Sequence, residues 1–122
     1  MYAAYLGKCD LIRILASHGA RIDLKDNYGG TAIHEAAAEG HADAVEALIE
    51  LGADIYSQTI DGTTPLMVAA AWDHVNVVET LLSLGANIEL RDNRGDNACQ
   101  IASEKAQLNV VKLLKARECE VL

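Results

Sequence analysis

The chain has 122 residues, a length that fits one domain, and its net charge is −8. Because nucleic-acid binding rests largely on neutralising phosphates, this acidic balance argues against a nucleic-acid partner. Apolar residues make up 51% of the chain without a single Phe, and no run reaches the roughly 18 apolar residues that a membrane helix needs.

The sequence pattern of residues 1–25 predicts two short helices. The first covers Ala3–Leu6 and ends at Gly7. The second covers Cys9–Ser17, where apolar residues recur at helical spacing, and Gly19 ends it as a left-handed C-cap.

Residues 26–58 predict a turn followed by two helices. Asp26 opens the turn, and Thr31 is a candidate N-cap for a helix over Ala32–Glu39. Gly40 then breaks the chain in a left-handed conformation, and an antiparallel helix follows over Ala42–Leu51.

Residues 59–91 repeat this plan. Pro65 takes the first helical position, where its missing amide costs nothing. Asp73 stands at the position of Gly40 and tolerates a left-handed backbone better than most residues do. The second helix is predicted over Val75–Leu84, and Gly85 ends it.

Residues 92–122 follow the plan with altered residues. Asn97 and Gln100 predict a capping box, and Ala106 stands where a glycine broke the chain before. The outer helix is predicted over Leu108–Ala116. Because one face of a terminal repeat meets water, we expect this segment to be the C-terminal cap, with its last residues frayed.

The framework residues recur every 33 positions. Gly19-Ala20 recurs as Gly52-Ala53 and again as Gly85-Ala86, and the turn before Pro65 reads Asp-Gly-Thr-Thr-Pro-Leu from Asp61. A period of this size, with the helix pattern inside it, marks a solenoid. At these residues the chain resembles the ankyrin-repeat family.

The resemblance implies an all-α fold, an ankyrin-repeat solenoid of stacked antiparallel helix pairs with about three and a half repeats. One domain would span residues 1–122, divided into a partial first repeat (1–25), two repeats (26–58 and 59–91) and a C-terminal capping repeat (92–122). The first unit lacks its turn and helix start. The chain is therefore either a fragment of a longer array, which we favour, or it begins with a degenerate repeat.

The histidines and cysteines do not form the pattern of a reactive site. His41 and His74 hold equivalent positions about 10 Å apart by the helix-packing distance, too far for one metal, and the resemblance implies that His34 bonds to Thr31. Three cysteines without metal-ligand spacing cannot all pair, so we expect reduced thiols, with Cys99 as a small buried hydrophobe. With no nucleophile elbow or phosphate loop, we predict no enzyme, no metal and no cofactor.

The resemblance places partner binding on the turn tips and on the exposed side of each repeat's first helix. Residues on this surface differ between repeats, whereas framework residues recur. Trp72, the only tryptophan, is either an exposed contact, which we favour, or it folds over a neighbouring helix. We call this surface the strip; its predicted contact residues are Tyr5, Asn27, Tyr28, Ala38, Glu39, Ile60, Asp61, Thr63, Ala71, Trp72, Asn93, Arg94, Asp96, Glu104 and Lys105.

We predict a non-enzymatic protein–protein interaction module that binds a protein partner through the strip. Because carboxylates outnumber cations there, a neutral or basic partner segment is favoured. The alternative function is a structural spacer within a larger multidomain ankyrin-repeat protein. We expect an intracellular, cytoplasmic monomer without nucleic-acid or membrane partners, and weak self-association through the uncapped N-terminal end is the alternative to a monomer.

Overall fold

The computed structural model describes residue 25 and residues 27–116, and the regular elements of this part are all α-helices. The predicted contact Tyr5, the turn residue Asp26, the helices predicted before residue 25, and residues 117–122 lie outside the described residues. The helices are α1 (Ala32–Glu39), α2 (Ala42–Glu50), α3 (Pro65–Ala71), α4 (Val75–Ser83), α5 (Ala98–Glu104) and α6 (Leu108–Ala116).

The helices form two layers, which confirms the predicted all-α solenoid. Within each repeat a short loop reverses the chain, so that α1 packs on α2, α3 on α4 and α5 on α6. Between repeats, α1, α3 and α5 pack side by side in one layer, and α2, α4 and α6 pack in the other. Over the described residues, no helix has both the length and the apolar character that crossing a membrane requires.

The core runs without a break through the stacked repeats, because equivalent positions are buried in each. Leu48, Leu81 and Leu114 hold the same position in successive repeats and are 3%, 0% and 0% exposed. Cys99 is buried as a free thiol at the position that Ile33 holds two repeats earlier, which confirms its prediction as a core residue. Each buried aliphatic side chain of this size stabilises the fold by about 1.5–3 kcal/mol.

Each first helix starts with a reciprocal cap, and three different side chains complete it. In α5, Gln100 accepts a hydrogen bond from the Asn97 amide at 2.9 Å, while the Asn97 side chain accepts one from the Gln100 amide at 2.9 Å. This confirms the predicted capping box. In α3 the sulfur of Met67 lies 3.4 Å from the Thr64 amide, and in α1 the ring of His34 accepts from the amide of the N-cap residue at 3.2 Å.

The chain reversals follow the predicted left-handed geometry, although two helices are shorter than predicted. Asp73 and Ala106 have φ values of 61° and 58°, close to the 79° of Gly40. The helices predicted to end at Leu51 and Leu84 end one residue earlier, because each leucine has ψ near zero (0° and 3°) and acts as the C-cap. A glycine with positive φ follows each and turns the chain out of the helix.

Candidate functional site

The turn tips of successive repeats are hydrogen-bonded to one another in a row. The Ile60 amide donates to the Tyr28 carbonyl at 2.8 Å, and the Asn93 amide donates to the Asp61 carbonyl at 2.9 Å. The Asn93 side chain adds a bond of 2.8 Å to the Ile60 carbonyl. Because each link joins backbone atoms at equivalent positions, the tips form a continuous ridge that holds its side chains at a regular spacing.

Gly62 allows two of these tips to approach closely. Its φ is 83°, and a Cβ atom there would lie 2.7 Å from Asn93 Oδ1 and 2.9 Å from the Asn93 amide nitrogen. Any larger residue would therefore be strained and would push the neighbouring tip away. The close approach fixes the position of Asp61 relative to Asn93, and thus the shape of the ridge.

The ends of the first helices are also tied from repeat to repeat, through their carbonyl groups. His74 Nε2 lies 2.8 Å from the Ala38 carbonyl, and Gln107 Nε2 donates to the Ala71 carbonyl at 2.8 Å. Thus a histidine and a glutamine, at the same position of successive repeats, make the same bond. The backbone at the ends of α1 and α3 is therefore held in place by a side chain of the following repeat.

Three large apolar side chains of the strip are exposed to solvent. Trp72 is 65% exposed, Ile60 is 66% exposed and Tyr28 is 76% exposed. The indole therefore lies on the surface rather than in the core, as the exposed-contact interpretation predicts. Aromatic side chains that are rigid and exposed are the type that contributes most to binding in protein interfaces.

Arg94 is the centre of an ion-pair cluster at the third tip. Its guanidinium nitrogens lie 3.6 Å from Asp92 Oδ2, 3.5 Å from Asp96 Oδ2 and 3.9 Å from Glu104 Oε1. Asp92 Oδ1 also accepts from the amides of Arg94 and Asp96, at 2.9 and 3.0 Å. One cation is thus shared among three carboxylates, so these four side chains together carry a negative charge.

His34 and His74 make hydrogen bonds that hold the fold together. His34 Nδ1 lies 3.1 Å from Thr31 Oγ1, which confirms the predicted contact, and its Nε2 lies 2.9 Å from the Thr63 carbonyl of the next repeat. The carbonyl can only accept, so Nε2 carries the proton and His34 links two repeats. Within the described residues, no group of three or more His, Cys, Asp or Glu side chains could hold a metal ion.

The predicted strip residues that the structure describes are all exposed or half-buried. The hydrogen bonds bring the tips together into the ridge, whereas Glu39, Trp72 and Lys105 occupy the ends of the three first helices. The prediction missed Asp92, which lines the ridge beside Arg94. Its place as the opening residue of a turn was a signal, because an aspartate there bonds to the amides that follow.

The architecture is that of a helical repeat protein with a ridge of turns along one side. In the comparison with protein families, the profile described as ankyrin repeats (3 copies) matches residues 1–59 and 52–122. The two matches together span the whole chain, so the chain belongs to the ankyrin-repeat family. A search of the curated proteins found no match.

Membership of this family supports a general function. Ankyrin repeats are protein–protein interaction modules in general, and they are typically non-catalytic. The side chains described above fit that role, since they hold repeats together or face solvent.

Proposed function

We propose that this chain is a non-enzymatic binding module that takes a segment of a protein partner along the strip. The observation that carries the proposal is the exposed Trp72, which is held on a helix end whose carbonyl is already bonded to the next repeat. Covering its indole would remove apolar surface from water at little entropic cost, because the backbone beneath it is already ordered.

The charges of the strip favour a neutral or basic segment. Glu39, Asp61, Asp96 and Glu104 are the carboxylates of the strip, and Arg94 and Lys105 are its cations. Arg94 is shared by neighbouring carboxylates, so it offers little attraction to an acidic partner. Complementary charge would mainly set the rate of association and the register of the partner.

The test compares Trp72→Ala with Leu108→Ala. Leu108 is 68% exposed, which matches the exposure of Trp72, but it starts α6 and lies outside the strip. We expect both variants to keep the free energy of unfolding within about 0.5 kcal/mol of the wild type. Proteins captured by the wild type and by Leu108→Ala should be lost with Trp72→Ala, and their binding should weaken by about 2 kcal/mol or more.

Fluorescence gives a second readout, since Trp72 is the only tryptophan. In the free protein its emission should be red-shifted and quenched by acrylamide, and a bound partner should shift it to the blue. If partners bind Trp72→Ala as tightly as the wild type, and emission does not change on binding, the strip is not the binding surface. The spacer alternative would then be preferred.

A further inference from the structure

A depression of about 360 Å³ lies in the ridge between the second and third turn tips. It is lined by Asp61, Thr63, Asp92, Asn93 and Arg94. Two hydrogen bonds from Asn93, to the carbonyls of Ile60 and Asp61, hold its two sides together. The depression is therefore a fixed feature of the ridge, wide enough for one side chain of a partner.

Among the described residues that line the depression, Arg94 is the cation, and it is already engaged. Arg94 makes its ion pairs with Asp92, Asp96 and Glu104, and the Asp92 carboxylate, 6% exposed, is also bound by backbone amides. Arg91, nearby along the chain, donates to the Gly95 carbonyl at 2.8 Å and to the side chain of α5 residue Gln100 at 2.9 Å. An anionic group that approached Arg94 would meet a guanidinium group already paired with three carboxylates, and these carboxylates would repel it.

The opposite side of the depression presents unused acceptors. In the part of the chain that the structure describes, the exposed carboxylate of Asp61 makes no hydrogen bond or ion pair, and the hydroxyl of Thr63 has no hydrogen-bond partner. Beside them, Ile60 is largely exposed. This side therefore offers one negative charge and one hydroxyl to a cation, next to an apolar contact.

We propose that the depression receives a lysine or arginine side chain of the partner, and that an adjacent apolar residue covers Ile60. The inference rests on the proposed function and deepens it, because it states the chemistry of the segment and its register on the ridge. The ammonium or guanidinium group binds the Asp61 carboxylate and the Thr63 hydroxyl. The apolar part of the segment continues along the strip toward Trp72.

The experiment selects peptides from a random peptide library displayed on phage against the whole chain. Selected peptides should be enriched in Lys or Arg next to an aliphatic or aromatic residue.

Synthetic copies of the selected peptides should bind the Asp61→Asn variant about fivefold more weakly than the wild type, near the upper limit for an exposed ion pair. They should bind Arg94→Gln more tightly, because that change removes a repelling cation. Glu79→Gln makes the same charge change as Asp61→Asn on α4, away from the strip, and should leave affinity unchanged.

A double-mutant cycle assigns the contact. Replacing the peptide's basic residue with norleucine should cause about the same loss as Asp61→Asn, and the two changes together should cause little more than either alone. The loss should also shrink at high salt, because exposed ion pairs are screened. Circular dichroism checks that each variant is folded, and Asp61→Asn should be, since that side chain makes no described bond.

Two results would overturn the inference. One is enrichment of acidic peptides that bind Arg94→Gln more weakly, which would mean that an anionic segment occupies the depression. The other is binding that Trp72→Ala weakens and Asp61→Asn does not, which would refute the cation site while the proposed function stands. If neither Trp72→Ala nor Ile60→Ala weakens any selected peptide, the proposed function itself fails.

Discussion

Replacing Gly40 with alanine would test how closely successive repeats are fitted together. Gly40 has a φ of 79°, and a Cβ atom there would lie 2.8 Å from Nδ1 and 2.9 Å from Cε1 of His74. The ring is held by its 2.8 Å bond to the Ala38 carbonyl. It cannot turn away from a new methyl group without losing that bond, so the alanine should be destabilising for two separate reasons.

The expected magnitude follows from these two reasons. A left-handed backbone costs a residue with Cβ about 1–2 kcal/mol, and overpacking costs about 1–3 kcal/mol. The lower entropy of the unfolded alanine chain offsets about 0.4–1 kcal/mol. Gly40→Ala should therefore lower the free energy of unfolding by about 1–5 kcal/mol, most of it from the contact with His74.

The same change should cost much less when His74 is replaced by glutamine. The next repeat already contains this combination, because Asp73 and Gln107 hold the positions of Gly40 and His74 there, and Asp73 carries a side chain at a φ of 61°. A flexible glutamine makes the bond to the helix end without a rigid ring. We expect Gly40→Ala to cost only about 1 kcal/mol in His74→Gln, which is a coupling of about 1–3 kcal/mol.

Urea unfolding followed by far-UV circular dichroism would measure the cycle. Gly95→Ala is the matched control, because Gly95 has a φ of 88° but a Cβ atom there would meet nothing within 4 Å. It reports the cost of the backbone conformation alone. If Gly40→Ala costs no more than Gly95→Ala, the close fit between these repeats does not cause the loss of stability. The same conclusion would follow if the effects of the changes at Gly40 and His74 were additive.

Three further predictions concern stability. Ala106→Gly should be neutral or stabilising, because Ala106 has a φ of 58°, which glycine adopts more easily. Gly52→Val should cost about 1–3 kcal/mol, because Gly52 has a φ of 104°, which valine resists. Unfolding midpoints in the reverse order would contradict this prediction. Asp73→Gly should raise the free energy of unfolding by about 1 kcal/mol, because Asp73 Oδ1 is buried without a hydrogen-bond partner in the described residues, and an unchanged urea midpoint would refute it. Leu81→Ala should cost about 2–5 kcal/mol as a core truncation, and a similar loss in Trp72→Ala would show that the indole is packed in the core.

The sequence was sufficient to predict where the described helices lie, although two of them end one residue early, because their positions follow the repeat period. In the third described repeat, α5 and α6 begin one full period after α3 and α4, although Asn97, Gln100 and Ala106 differ from their counterparts. Burial of apolar residues at fixed positions sets this register. A changed cap or loop residue is tolerated as long as it can still make the same bond or adopt the same backbone angle.

The bonds between repeats could not be predicted, because they depend on side-chain conformations rather than on spacing. Nothing in the sequence shows that Met67 reaches back to the Thr64 amide, or that Gln107 replaces a histidine in binding a helix end. The sharing of Arg94 among carboxylates was missed for the same reason. This sharing matters for binding, because Arg94 looks like a free cation in the sequence but belongs to a cluster with three carboxylates in the structure.

The ends of the first helices show how the fold separates stability from recognition. The carbonyls of Ala38 and Ala71 are bonded by the next repeat, and these bonds are the same whatever side chain follows. At the following position the chain carries Glu39 in one repeat and Trp72 in the next, and both are exposed. Because the backbone is held by a neighbouring repeat, this position accepts side chains as different as Glu39 and Trp72. Trp72 leaves 65% of its surface in water, so most of its apolar surface is available for a partner.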